Sequence, residues 1–189
     1  MVAVEVEQHG NLRIVKMAGQ ASTQSFSMAF LPSIAKAIDE GLNDRGTKAM
    51  VLTGDGRFFS AGADINAFQK AIEENNAPAL IRELTGVLHP LLQRIRTSST
   101  IVVAALNGVS AGGGLGLALA CDARVGTSDA RMAASYAGMG LSPDGEPLGC
   151  CLVSWASSEL GDFSWATKYG PANKHTNTGR LTCWWTTHR

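Results

Sequence analysis

The sequence has no excess charge of either sign. Sixteen Lys and Arg offset sixteen Asp and Glu over 189 residues. No basic stripe is left to neutralise a phosphate backbone, which argues against a nucleic-acid partner. Cysteine is scarce. The four at 121, 150, 151 and 183 show neither the C-x-x-C spacing of a metal site nor the spread of a disulfide framework, so no metal is expected. Thr97 to Cys121 carries no charge at all. That length would suit a membrane span, but five glycines and Asn107 interrupt it and no polybasic flank orients it. The first residues lack the pattern of a signal peptide: Val2, Val4 and Val6 alternate with polar residues, as in a half-buried strand. The expectation is a protein of a reducing, cytoplasmic compartment with no membrane partner. Apolar residues make up 45% of the chain, enough to build one core.

The most informative stretch runs from Ile101 to Asp122. Ile101–Leu106 is an apolar run of strand length, rich in β-branched residues. Gly112, Gly113 and Gly114 follow, where backbone can approach a ligand with no Cβ in the way. Leu115–Ala120 then has strong helix formers. Free N–H groups at a helix start suit an oxyanion or a phosphate. The dinucleotide fingerprint fails, because Leu117 stands where its third glycine belongs, and the Gly-Lys-Ser/Thr ending of a P-loop is absent. Gly108-Val109-Ser110-Ala111-Gly112 does match the nucleophile elbow of serine hydrolases. Ser110 would be the nucleophile, yet only His175 and His188 follow it as candidate bases.

Around this stretch the chain reads as alternating strands and helices. A hairpin covers Val2–Glu7 and Leu12–Met17, turning at His9-Gly10-Asn11. A helix is predicted over Met28–Leu42, with Ile34, Ala35, Ile38 and Leu42 inward. Lys48–Thr53 is a second buried-strand pattern, followed by a second glycine turn, Gly54 to Ile65. A short helix starts near Asp64, whose carboxylate can cap it. Pro78 opens a long helix to about Arg96, with Leu80, Leu84, Val87, Leu88, Leu91 and Leu92 inward and Arg82, His89, Arg94 and Arg96 solvated. The glycine-turn helix and a strand over 122–127 follow, with Cys121 in a buried-strand pattern. Periodicity alone gives α/β with mixed sheets.

Four blocks in this order resemble the crotonase (enoyl-CoA hydratase/isomerase) superfamily. They are Phe59-Ser60-Ala61-Gly62-Ala63-Asp64-Ile65, Asn107-Gly108 with Gly112-Gly113-Gly114, Cys121-Asp122-x-Arg124-Val125, and Met139-Gly140-Leu141-Ser142-Pro143-Asp144-Gly145. The likeness covers residues 4–145. It implies a crotonase-like spiral of repeated strand-strand-helix units. It also implies an acyl-CoA thioester partner, with no separate cofactor because coenzyme A is part of the substrate, and a homotrimer or hexamer. By motif, the backbone N–H groups of Ala63 and Gly113 would form an oxyanion hole for the thioester carbonyl. Ser60, Ala61, Ala63, Asp64 and Ile65 would belong to the acyl-CoA loop, and Gly112, Gly113, Tyr136 and Gly140 to the rest of the substrate site.

Departures from the family pattern bear on the reaction. The two glutamates of the hydratases would fall on Gly116 and Tyr136, and both are absent. Gly140-Leu141-Ser142-Pro143-Asp144-Gly145 is similar to the acid-bearing segment of some enoyl-CoA isomerases. Asp144 is then the candidate acid/base for double-bond isomerisation, as against capping the next helix. A hydratase with another acid/base set, a catalytically impaired acyl-CoA binder and the Ser110 hydrolase are the alternatives. Two regions are expected: a crotonase-like core at 1–145 and an atypical tail at 146–189. All four tryptophans and three of the four cysteines lie in that tail. It reads as out-of-frame or artificial sequence, or else as a divergent surface tail, in place of the family's C-terminal helices.

Overall fold

Two hydrophobic strand runs, Lys48–Thr53 and Ile101–Leu106, set the architecture; along each, buried residues alternate with half-buried or exposed ones. A computed structural model describes residues 3–135 and two further short strands at 170–171 and 182–184. Strands β1 (Val4–His9) and β2 (Leu12–Met17) form the expected antiparallel hairpin, but β1 ends two residues later than predicted and His9, expected in the turn, pairs with Leu12 in the ladder. The short α1 (Gln20–Thr23) and α2 (Leu31–Asn43) then cross over to β3 (Ala49–Thr53), which lies parallel to β2. Helix α2 begins three residues later than its apolar pattern predicts. Pro32 stands in its first turn, where a missing N–H costs nothing, and this fixes the start.

From β3 onward one unit repeats. β3 leads to β4 (Phe58–Ser60), then α3 (Ile65–Glu73) and α4 (Ala77–Thr97). β5 (Ile101–Leu106) leads to β6 (Val109–Ala111), then α5 (Gly113–Ala120). β7 (Ala123–Gly126) leads to β8 (Arg131–Ala133). The first strand of each unit joins a six-stranded sheet, and the second joins a four-stranded one. With β9 (Gly170–Pro171) and β10 (Thr182–Trp184), the orders are β1-β2-β3-β5-β7-β10 and β4-β6-β8-β9. Interior pairs are parallel, while β1, β9 and β10 pair antiparallel, so both sheets are mixed.

The core lies where α2, α4 and α5 meet the sheets. Ile34, Ile38, Met50, Leu52, Phe59, Leu91, Ile95, Leu106 and Leu117 are all buried there. In α4 the expected apolar face is confirmed at Leu84, Leu88, Leu91 and Leu92, with Ile95 added and Leu80 and Val87 half-buried. Arg94 is not simply solvated. Its Nη1 donates to Asp39 Oδ2 at 2.7 Å and joins α4 to α2. Cys121 follows α5 instead of lying in a strand. It is fully buried, and burial pushes its thiol up to about 12, so it is a small apolar filler with no thiolate at neutral pH. Arg124 is also buried. Its guanidinium donates to the Ala118 and Cys121 carbonyls at 3.2 and 3.1 Å and closes the C-terminal end of α5. Among the described residues no helix is long and apolar enough to cross a membrane.

Candidate functional site

The two glycine turns leave adjacent strands of the small sheet. β4 and β6 are parallel, with Ser60 in register with Ser110, so both chains exit the same end of the sheet. Each turn then does the same thing. Gly62 has φ +90° and is followed by Ala63; Gly112 has φ +51° and is followed by Gly113. Those angles are open to glycine and strained for other residues. They swing the next amide out of the strand direction. Neither the Ala63 nor the Gly113 N–H has a hydrogen-bond acceptor among the described residues. Gly113 is the first residue of α5, where free N–H groups are expected. Ala63 is not in a helix, and an unpaired backbone N–H in a packed protein is uncommon.

The turns touch. A Cβ at Gly62 would stand 2.7 Å from the Ala111 carbonyl oxygen and 3.4 Å from the Gly113 nitrogen. Covalent geometry therefore keeps the Ala63 and Gly113 nitrogens within about 7 Å of one another. A Cβ at Gly113 would overlap the Phe26 ring at 2.5 Å, so Phe26 covers this turn from one side. Asn107, the residue before the second turn, clips the two loops together. Its Oδ1 accepts from Gly54 N–H at 2.9 Å, and its Nδ2 donates to the carbonyls of Gly56 and Phe58 at 3.1 and 3.0 Å. Its motif block alone implies no role for Asn107. Its signal was there, a polar amide between an apolar strand and Gly108, but its partners lie some fifty residues away.

The expected site residues divide by environment. Ala63, Gly112 and Gly113 are brought together, and Ala61 beside them is half-buried. Ile65 is 62% exposed at the start of α3. Asp64 caps α3: its Oδ1 accepts from the N–H groups of Asn66 at 2.9 Å and Ala67 at 3.4 Å. Ser60 faces inward. It is fully buried and its hydroxyl is committed to Ser25 at 2.8 Å, so its side chain is not presented as a ligand contact. Gly116, where a hydratase glutamate would fall, is buried within α5. Tyr136, Gly140 and Asp144 lie outside the described residues.

An open groove of about 250 Å³ runs past Asp64 on this side of the molecule, between the segment before α2 and helices α3 and α4. Phe26, Met28, Phe68, Leu80 and Leu84 give it an apolar lining. Ser110 offers no support for hydrolysis. It is fully buried and its hydroxyl has no partner among the described residues. His9 pairs instead with Glu7 on the hairpin, His89 lies exposed on α4, and His175 and His188 are outside the described residues. No three His, Cys, Asp or Glu side chains gather as a metal site among the described residues.

A family model for enoyl-CoA hydratase/isomerase matches residues 7–153. This chain belongs to the enoyl-CoA hydratase/isomerase family. A probable enoyl-CoA hydratase of Bacillus subtilis is 33% identical over 119 residues, which is 63% of this chain and 45% of that protein. A putative enoyl-CoA hydratase of Thermus thermophilus is 37% identical over 129 residues, covering 68% of this chain and 50% of the relative. The crystal structure of an enoyl-CoA hydratase from Polaromonas sp. JS666 superimposes with a TM-score of 0.75 at 28% identity, over 90% of this chain and 66% of that one. The repeated units thus wind into the crotonase spiral. The chain spans about half the length of the curated relatives it matches.

Proposed function

We propose that the protein binds an acyl-CoA thioester and isomerises the double bond of an enoyl-CoA through a stabilised enolate. One observation carries this reading: two neighbouring main-chain amides, Ala63 and Gly113, each follow a positive-φ glycine and lack an acceptor among the described residues. A thioester oxygen between them accepts both N–H groups. The interaction strengthens as the α-proton leaves and negative charge moves onto that oxygen. A preorganised donor of this kind contributes about 3 kcal/mol to the transition state. Small residues suit the role, because the donors are backbone atoms and the ligand must approach closely.

The apolar groove lined by Phe68, Leu80 and Leu84 suits the acyl chain; Tyr136 is assigned to the acyl pocket by family likeness alone. Ala61 and the exposed Ile65 face the adenine and pantetheine portions. Asp144 takes the proton from the α carbon and returns it at the γ carbon, which a single carboxylate can do. This assignment rests on its isomerase-like segment, Gly140 to Gly145. The family's homotrimer or hexamer is the assembly that goes with this reading. Hydration is the second reading, favoured by relatives named enoyl-CoA hydratases. It needs an acid/base pair other than the usual glutamates, because Gly116 and Tyr136 carry no carboxylate.

A turnover panel of 2-enoyl- and 3-enoyl-CoA esters of varied chain length separates the two. Isomerisation predicts conversion of 3-enoyl- to 2-enoyl-CoA, abolished by Asp144→Ala. An unchanged rate in that variant removes Asp144 from the mechanism, and turnover of 2-enoyl-CoA with water alone selects the hydratase.

A further inference from the structure

Residues 22–26 match no motif, yet they touch both glycine turns. Ala61 N–H donates to the Ser22 carbonyl at 2.9 Å, and Phe26 N–H donates to the Gly62 carbonyl at 3.1 Å. Between these bonds lies a chain of buried hydroxyls. Ser60 Oγ donates to Ser25 Oγ at 2.8 Å, Ser25 Oγ donates to the Ala21 carbonyl at 2.6 Å, and Gly62 N–H donates to Ser60 Oγ at 3.3 Å. Ser25 and Ser60 are both fully buried. On its other side Ser60 meets Gly114, where an added Cβ would stand 2.5 Å from Ser60 Oγ and 2.6 Å from Ser60 Cβ. Ser60 therefore bonds the residue before Ala63 and abuts the residue after Gly113.

An apolar pair could fill this space, and buried hydroxyls gain little stability over it. What the hydroxyls add is direction. The Gly62 N–H is held by Ser60 and the Gly62 carbonyl by Phe26, so both peptide planes leading into the Ala63 amide are fixed. We propose that Ser60, oriented by Ser25, is a positioning residue that sets the spacing and direction of the Ala63 and Gly113 amides. The inference rests on the oxyanion reading above. It assigns Ser60 a role inside the protein instead of on the ligand.

The test uses Ser60→Ala, Ser25→Ala and the double variant. In 3-enoyl-CoA turnover, kcat in Ser60→Ala is expected to fall roughly 10- to 100-fold, the scale of a displaced catalytic group, with KM within about twofold. Ser25→Ala falls less, and the double variant matches Ser60→Ala, because the two serines act in series. A second readout needs no turnover. Butyryl-CoA isotopically labelled at the thioester carbonyl is bound to each protein, and its infrared stretch reports polarisation by hydrogen bonds. The stretch should move to lower frequency in the parent protein and recover in the serine variants. Variants that melt earlier but keep both kcat and the carbonyl shift overturn the proposal and make the pair purely structural. A parent protein that polarises the carbonyl but isomerises nothing refutes the proposed reaction alone, and the infrared comparison still decides the role of Ser60. A parent protein that leaves the stretch unmoved overturns the oxyanion reading and this inference together.

Discussion

Gly62 and Gly112 hold equivalent places, one residue before each candidate donor, but the spaces around them differ. A Cβ at Gly112 meets nothing within 4 Å, whereas one at Gly62 meets the Ala111 carbonyl at 2.7 Å. Gly112→Ala therefore pays only the backbone strain of a positive φ, about 1–3 kcal/mol. Gly62→Ala carries that strain and a steric overlap with the partner turn, so it should destabilise more. Chemical denaturation of both variants checks the order. Equal losses would show that the two turns are not packed together as described. Under the proposed oxyanion role both should also lower turnover, since each would rotate one of the two donor amides. Gly112 was legible in the sequence as a close-approach position, and Gly62 only as part of a second glycine turn. Their unequal surroundings were not, because the atom that crowds Gly62 comes from Ala111, far along the chain.

Helix α5 joins site to core. Its first residue is Gly113, and its last turn is closed by the buried Arg124. Every residue from Gly114 to Ala120 is buried, so the helix has no solvated face on which water could satisfy its terminal carbonyls. Arg124→Ala leaves the Ala118 and Cys121 carbonyls without this charged donor and should cost about 2–4 kcal/mol. A lower denaturant midpoint with an unchanged slope would confirm it. The main elements could be read from local pattern: β3 and β5 from their apolar runs, α3 from Asp64 as its cap, and most of the buried face of α4 from its spacing. The joints between elements could not. Arg124 sat within a family block, yet nothing local shows that its guanidinium folds back on α5. Arg94 matched a solvated helix face, and only the packing of α4 on α2 brings it to Asp39. Ser60 lay in a loop motif and read as a ligand contact, but its orientation depends on Ser25, thirty-five residues earlier. Asp144 and Tyr136 were reached by family likeness alone, and they lie beyond the described residues.

At the scale of the molecule, the hairpin, the segment before α2 and the first glycine turn converge on one carboxylate. Asp55, between β3 and β4, accepts from Gly19 N–H at 3.0 Å and from Gly56 N–H at 3.1 Å, and it pairs with Lys16 of β2 at 3.3 Å. The Gly19 hydrogen bond first, then Lys16, hold its pKa below the ordinary carboxylate value. Asp44 is lowered likewise by the Gly46 N–H and the Thr47 hydroxyl. A carboxylate depressed on folding stabilises the native state above its unfolded pKa of about 3.9. That contribution is lost as pH falls through the lower folded value. Asp39 acts in the opposite sense, since burial raises its pKa and Arg94 only partly offsets this. Native stability should therefore begin to drop below about pH 4, where Asp55 and Asp44 take up protons in the unfolded chain before they do in the folded one. Asp55→Asn should be less stable than the parent at pH 7, and the gap should narrow as the pH falls below about 4, because the parent's unfolded carboxylate then takes up its proton. Urea midpoints measured across that range decide the matter. Parallel curves would mean that Asp55 contributes no ionisation-linked stability. Converging curves would identify it as the charged tie between the hairpin and the first glycine turn.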